Sequence, residues 1–229
     1  MQTPFNFAVM FDKLSQSLYS GNSGYLINQT HKQLASFGNK RAKSKKITFK
    51  RILEIGAGKG ELYQYVKGGF AEYFMTDISS WGESEINKIT KADKRIKFEL
   101  QNIEKLNYPD NHFDRVLVTC VVAHVDEPFR ALEELRRVTS PDGIISIAVS
   151  TDPSIFLRVI RKLLVLRKMQ NLEIPYDLHI AIQHRNNPLA ILTMVKWIYK
   201  KDKIQIKYFP FRIKSWNLAT HLIINIVKK

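Results

Sequence analysis

The segment Leu53-Glu54-Ile55-Gly56-Ala57-Gly58-Lys59-Gly60 constrains this chain more than any other. The apolar run at 51–55 reads as a short strand, and three glycines in the spacing G-x-G-x-G follow it directly. Glycines there let the backbone turn tightly and let a ligand approach it closely, beside the positive N-terminus of a following helix, expected at 61–66. A dinucleotide fingerprint would need G-x-G-x-x-G, but position 61 is glutamate, and a phosphate-cradling loop would need a G-K-[ST] ending. An acid two residues before the first glycine suits a ligand without a pyrophosphate but with a cationic amino-acid part, which Glu54 would attract.

Strand and helix signals then alternate. Residues 73–76, 96–100, 113–120 and 144–149 read as strands, and the almost wholly apolar 113–120 suits a central parallel strand. Residues 128–138 carry apolar side chains at helical spacing, and Pro141-Asp142-Gly143 reads as a turn. This alternation predicts βαβ units and a Rossmann-like, doubly wound α/β fold with a mostly parallel seven-stranded sheet. The end of the chain differs: 204–209 and 218–227 are strand-like with no helix between them, which predicts an antiparallel C-terminal hairpin at one sheet edge. One domain over 1–229 is expected, with a helical lead-in (1–48), a cofactor-binding core (49–149), a helical insertion or cap (150–202) and the hairpin (203–229). Within the lead-in, 30–37 reads as a short amphipathic helix and the lysine-rich 40–46 as a solvated basic linker.

Two acids and an amide sit at strand ends. Asp77 closes the second strand, where a carboxylate can accept hydrogen bonds from both ribose hydroxyls; the plainer alternative is an Asp capping the next helix. Gln101-Asn102-Ile103-Glu104 follows the third strand, so Asn102 could pair with an adenine edge while Ile103 packs on the ring. Asn is also common in turns that bind nothing.

Taken in order, these motifs resemble a class I S-adenosylmethionine-dependent methyltransferase of the small-molecule branch, similar to quinone and sterol methyltransferases. Glu54-Ile-Gly56-Ala-Gly58-Lys-Gly60 resembles the family's E-x-G-x-G-x-G, and Gln101-Asn102-Ile103-Glu104 its G-D-A-E. Phe113-Asp114-Arg115-Val116 resembles F-D-x-V, Val122-Ala123-His124-Val125 resembles L-E-H-v, and Ser140-Pro141-Asp142-Gly143 resembles K-P-G-G. The resemblance covers about 100 residues. It implies S-adenosylmethionine as cofactor, with Glu54, Gly56 and Gly58 lining the methionine part, Asp77 on the ribose, and Asn102 and Ile103 at the adenine. Ala57, Gly60, Ile78 and Cys120 complete the expected cofactor-binding set. Asn stands at 102 where the family has Asp, and Ala at 123 where it has Glu.

Methyl transfer to a hydroxyl is helped by a base, and histidine is the usual one. His124 ends the fourth strand. His179 and His184 lie in a polar cluster of the insertion that would form the acceptor pocket. For each, a structural role is the alternative, and the spacing of His179 and His184 does not put them on one helical face for a metal. The expected reaction is methyl transfer to oxygen of a small-molecule, glycan-precursor or lipid-like acceptor.

Composition sets the remaining bounds. Cys120 is the single cysteine, so no intrachain disulfide forms, which fits a reducing compartment. The start of the chain does not read as a signal peptide, and a cytoplasmic protein is expected. The 36 Lys and Arg against 21 Asp and Glu give a formal net charge of +15, which attracts anionic partners at long range. An anionic substrate or a membrane surface would fit; the basic amphipathic stretch 154–167 is read as a helix covering the sheet after the fifth strand, with peripheral membrane contact as the alternative. The charge also raises an RNA methyltransferase as an alternative. Against it, no N-P-P-Y-type motif follows the fourth strand, where the chain reads Thr119-Cys-Val-Val-Ala-His124. A third reading is a non-catalytic cofactor-binding or scaffold protein that keeps the fold. The aromatics Trp197, Tyr199, Tyr208, Phe209, Phe211 and Trp216 are read as core and hairpin packing.

Overall fold

A computed structural model describes residues 21–164, 183–211 and 213–229. Its centre is a seven-stranded sheet of β1 (Phe49–Ile55), β2 (Phe70–Asp77), β3 (Ile96–Leu100), β4 (Phe113–Thr119), β5 (Thr139–Ser150), β6 (Lys203–Pro210) and β7 (Ala219–Val227). The spatial order is β3-β2-β1-β4-β5-β7-β6. The first five strands are parallel; β7 runs antiparallel to β5, and β6 pairs with β7 as the edge. This is the doubly wound, mostly parallel sheet with an antiparallel C-terminal hairpin that the alternation predicts.

The helices are α1 (Gly21–Lys45), α2 (Glu83–Ala92), α3 (Pro128–Val138), α4 (Ile155–Leu164) and α5 (Pro188–Ile198). They cover both faces. Leu34 and Ala35 of α1 and Ile86 of α2 pack with Ile52, Tyr73, Met75 and Leu117 on one face. Leu132 and Leu135 of α3 and Ile191 and Val195 of α5 pack with Leu53, Val116, Val118 and Ile224 on the other. Within β1, Ile52 thus goes to one core and Leu53 and Ile55 to the other, as a strand buried on both faces requires.

Three expectations need correction. The lysine-rich 40–46 is largely the last turns of α1, because Ala42 is buried there while its charged neighbours face water. No α-helix forms at 61–66, only a single 3-10 turn at Tyr63–Tyr65, since Gly68 and Gly69 already lead into β2. Pro141-Asp142-Gly143 does not separate α3 from β5; it is an irregularity inside β5, where pairing with β4 jumps from Phe113–Thr139 to Arg115–Ile144.

On the α1 face lies Arg115, fully buried, with Nη2 donating to the Ala35 carbonyl at 2.6 Å and Nη1 to Asn39 Oδ1 at 3.1 Å. Its guanidinium also stacks over the Phe49 ring at 5.2 Å. Gly38 makes room for it, since a Cβ there would stand 2.5 Å from the guanidinium carbon. Burial pulls the Arg115 pKa down to about 10, which still leaves it charged at neutral pH.

Candidate active site

The chain leaves β1 to build β2 and β3 on one side, then returns to build β4 on the other. The resulting switch in strand order lies between β1 and β4, and crevices form outside the carboxyl ends of strands at such a point. A cavity of about 490 Å³ opens there, within the size range of small-molecule sites. Gly56, Gly58, Asp77, Ile78, Asn102, Ile103, Cys120 and His124 all line it, so strand ends far apart in sequence converge as expected.

Asp77 holds the glycine loop in place. Its Oδ2 accepts from the Gly58 N–H at 3.0 Å and its Oδ1 from the Ser79 N–H at 3.2 Å. Each carboxylate oxygen has a further lone pair, so both can still accept from a ligand hydroxyl. Gly56 adopts φ +75°, and a Cβ on it would stand 2.3 Å from Val121 Cγ2, so neither the turn nor the space admits a side chain. Asn102 Oδ1 accepts from the Glu104 N–H at 2.9 Å, which makes the turn that Asn favours and leaves its amide N–H groups as the donors available to a ligand. Ile103 is buried and Ile78 is 74% exposed, so they wall the cavity from its inner and outer sides.

Glu54 stands elsewhere. It shares the α1 face with Ile52, is buried, and accepts a hydrogen bond from the Tyr73 hydroxyl at 2.6 Å. Its carboxyl lies beneath the cavity, not among the residues that line it. Burial pushes its pKa from 4.5 up to about 8, against the Tyr73 hydrogen bond and with a further push from the Asp77 charge. Ala57 and Gly60 are not among the lining residues either. Ala57 is packed in the α1-side core, and a Cβ on Gly60 would meet Ile89 Cδ1 at 2.8 Å, so this third glycine makes room for α2.

The wall beyond β4 carries the histidines. His124 Nδ1 lies 2.9 Å from the Gln183 carbonyl, and because a carbonyl only accepts, that bond puts the proton on Nδ1 and leaves Nε2 as the basic nitrogen. The His184 ring meets His124 edge to face with centroids 4.8 Å apart. His184 Nδ1 lies 2.7 Å from Asp152 Oδ2, without the alignment of a hydrogen bond, and the Ser150 hydroxyl donates to that same oxygen at 2.7 Å. Asn186 secures the arrangement: its side-chain amide donates to the Val122 and Val125 carbonyls, and its N–H to Ala123. Arg185 pairs with Asp126. His179 lies outside the described residues.

Residues 53–147 match the family of methyltransferase domains. They form a class I S-adenosylmethionine-dependent methyltransferase domain. Over 109 residues the chain is 32% identical to an uncharacterised methyltransferase of Schizosaccharomyces pombe, covering 42% of this chain and 38% of that one. Over 144 residues it is 27% identical to a ubiquinone/menaquinone biosynthesis C-methyltransferase of Bdellovibrio bacteriovorus, covering 60% and 59%. The chain thus spans 38% and 59% of the lengths of these two relatives. The fold matches that of the N-methyltransferase NodS of Bradyrhizobium japonicum, solved with S-adenosylhomocysteine, at TM-score 0.62 and 13% identity over 95% of this chain and 97% of that one.

The methyltransferase domain's cavity suits the cofactor that this family uses. Its floor is glycine, an acid stands where the ribose would lie, and Thr119 Oγ1 is buried in the wall with no hydrogen-bond partner among the described residues. Sequence reasoning missed Thr119, Ser79, Trp81 and Gln183 as lining residues. Trp81 had a readable signal, an aromatic in the loop just after Asp77, and Lys59 Nζ sits 5.8 Å from its ring. Gln183 and Asp152 had none, since only the folded insertion brings them to β4.

Proposed function

We propose that the chain is an S-adenosylmethionine-dependent methyltransferase that acts on a hydroxyl of a small, sugar- or lipid-like acceptor. The observation that carries this reading is the meeting of Asp77, the glycine floor and His124 in one cavity at the strand-order switch. Asp77 would hold the ribose, Asn102 would donate to an adenine nitrogen, and Ile103 would pack on the ring. The bound cofactor supplies an electrophilic methyl on a sulfonium.

His124 Nε2 would take the acceptor hydroxyl proton as the oxygen attacks. The new bond is C–O and the broken one C–S, whose electron pair stays on sulfur, so S-adenosylhomocysteine leaves neutral at that atom. The imidazolium formed on His124 would be stabilised by the Gln183 carbonyl. Asp152, acting through His184, would be a positioning residue for that ring. Residues 150–202 would serve as the acceptor-side cap.

A second reading places the methyl on carbon, favoured by the relative that is a C-methyltransferase. The same base would serve: removing a phenolic proton makes the neighbouring carbon nucleophilic, and a C–C bond forms as the C–S bond breaks. The ring carbon's own proton then leaves to solvent while the oxygen regains one from the imidazolium. Calorimetric titration with S-adenosylhomocysteine, with NADH as the control ligand, tests the shared core of both. Binding of the first alone is expected; binding of neither, or of NADH, would overturn the cofactor assignment.

A further inference from the structure

The helix α4 carries its apolar residues on the wrong side for a helix that only covers a sheet. Leu157 is buried, but Ile155, Val159 and Leu163 are 63%, 51% and 65% exposed. Their spacing of four residues makes them one stripe along the helix. The β6–β7 connection extends it: Phe211, Ile213 and Leu218 are also exposed, and Phe211 stacks edge to face on Phe156 of α4 with centroids 4.9 Å apart. Arg158, Lys162 and Lys214 are exposed beside these residues. Neither 154–164 nor 211–218 contains an acidic residue.

Both segments lie at the end of the sheet where the cavity opens, since α4 follows the end of β5 and the β6–β7 connection lies beyond Ser150 and its partner His221. A protein partner would suit an apolar patch of either charge. Among the described residues this exposed apolar stripe is flanked by cations, and on a chain of net charge +15 it complements a surface that is apolar inside and anionic outside. The groove around Trp197 offers a contrast: it mixes Asp110 and Glu133 with Arg136, Arg137 and Lys200, and so lacks that complementarity.

We infer that α4 and the 211–218 connection form a docking surface for an anionic lipid bilayer, which turns the mouth of the cavity toward the membrane. This surface is independent of the methyl-transfer reading.

Flotation of the full chain with vesicles of phosphatidylcholine, alone or mixed with phosphatidylglycerol, tests it. Binding to the mixed vesicles only, weakened by salt, is expected. The pair Val159→Asp and Leu163→Asp should weaken it about tenfold or more, because a carboxylate resists entry into the interface. Arg158→Glu with Lys162→Glu should weaken it by about fivefold or more per cation removed. Lys43→Glu with Lys46→Glu, at the opposite end of the sheet, removes as many cations and should leave binding within about twofold. Titration of each variant with S-adenosylhomocysteine, against the parent chain, separates a lost surface from a lost fold or a lost cofactor site. Absence of vesicle binding, binding indifferent to positions 159 and 163, or equal loss on the Lys43/Lys46 pair would overturn the inference. So would binding to transfer RNA without binding to vesicles.

Discussion

The two halves of the cavity are built from different kinds of chain. On the side of the glycine loop, Gly58 and Asp77 are 19 residues apart and meet at the ends of the adjacent parallel strands β1 and β2. On the other side, His124 meets the Gln183 carbonyl across 59 residues, and His184 folds back onto Asp152 near the start of the insertion. The first half is held by the sheet itself; the second is held by side chains such as Asn186 that pin one loop to another. A site held by the sheet should tolerate change in its neighbours, whereas a site held by loop contacts should lose positioning when any one contact goes.

That contrast can be broken or sharpened by substitution. The largest effect is expected from His124→Ala, which should lower turnover by about 100- to 10,000-fold and leave S-adenosylhomocysteine affinity unchanged. Single-turnover rates alongside calorimetry read the two separately, and full activity in this variant removes His124 as the base.

Next in size is Glu54→Gln, which probes the buried acid. Folded Glu54 keeps its proton up to about pH 8, while its ordinary value is 4.5, so between these the folded state binds more protons and stability falls as pH rises. The loss across that window is on the order of a few kcal/mol. The Gln variant should show a flatter decline from pH 5 to 8 in denaturant titrations. His31, whose pKa burial lowers to about 4, contributes the opposite slope below about pH 6.5, so the informative quantity is the difference between variant and parent. Parallel curves would mean that Glu54 ionises freely in the fold.

Asp77→Ala should weaken S-adenosylhomocysteine binding by on the order of 1–3 kcal/mol, because it would remove the proposed ribose acceptor and free the Gly58 N–H. An unchanged affinity would sink the ribose assignment. The smallest effect belongs to Asp152→Asn, about tenfold in turnover, the equivalent of about 1.5 kcal/mol from one contact to a charged group. Cofactor affinity should hold and Asp152→Glu should recover part of the rate; a parallel loss of both quantities would make Asp152 a structural residue instead.

Legibility followed the same division. The glycine loop, Asp77 and Asn102 were readable because local spacing determines where a βα unit places them. The place of Glu54 was not readable, for a reason internal to strands: alternation sends it to the α1 face with Ile52, and a motif letter carries no record of which face it occupies. The charge run at 40–46 hid the end of α1, since one buried Ala42 among lysines is too little apolar signal to announce a helix. Nothing local marks Asp152 or Gln183, whose roles depend on the folded insertion. The apolar stripe of α4 was visible as periodicity, but only the structure shows that the stripe faces outward rather than onto the sheet.

The buried Arg115 carries a consequence for where this protein can be divided. The stretch 53–147, which matches the methyltransferase family, starts within β1 and stops within β5. Arg115 lies inside it, yet its partners Ala35 and Asn39 lie before it, and Ser146 donates to Asn225, far beyond it. A fragment trimmed to the recognisable stretch would strand a guanidinium and a strand edge that the rest of the chain satisfies. The stretch that inheritance marks is therefore smaller than the set of residues that satisfies its buried groups, and α1 belongs to the second as fully as the glycine loop belongs to the first.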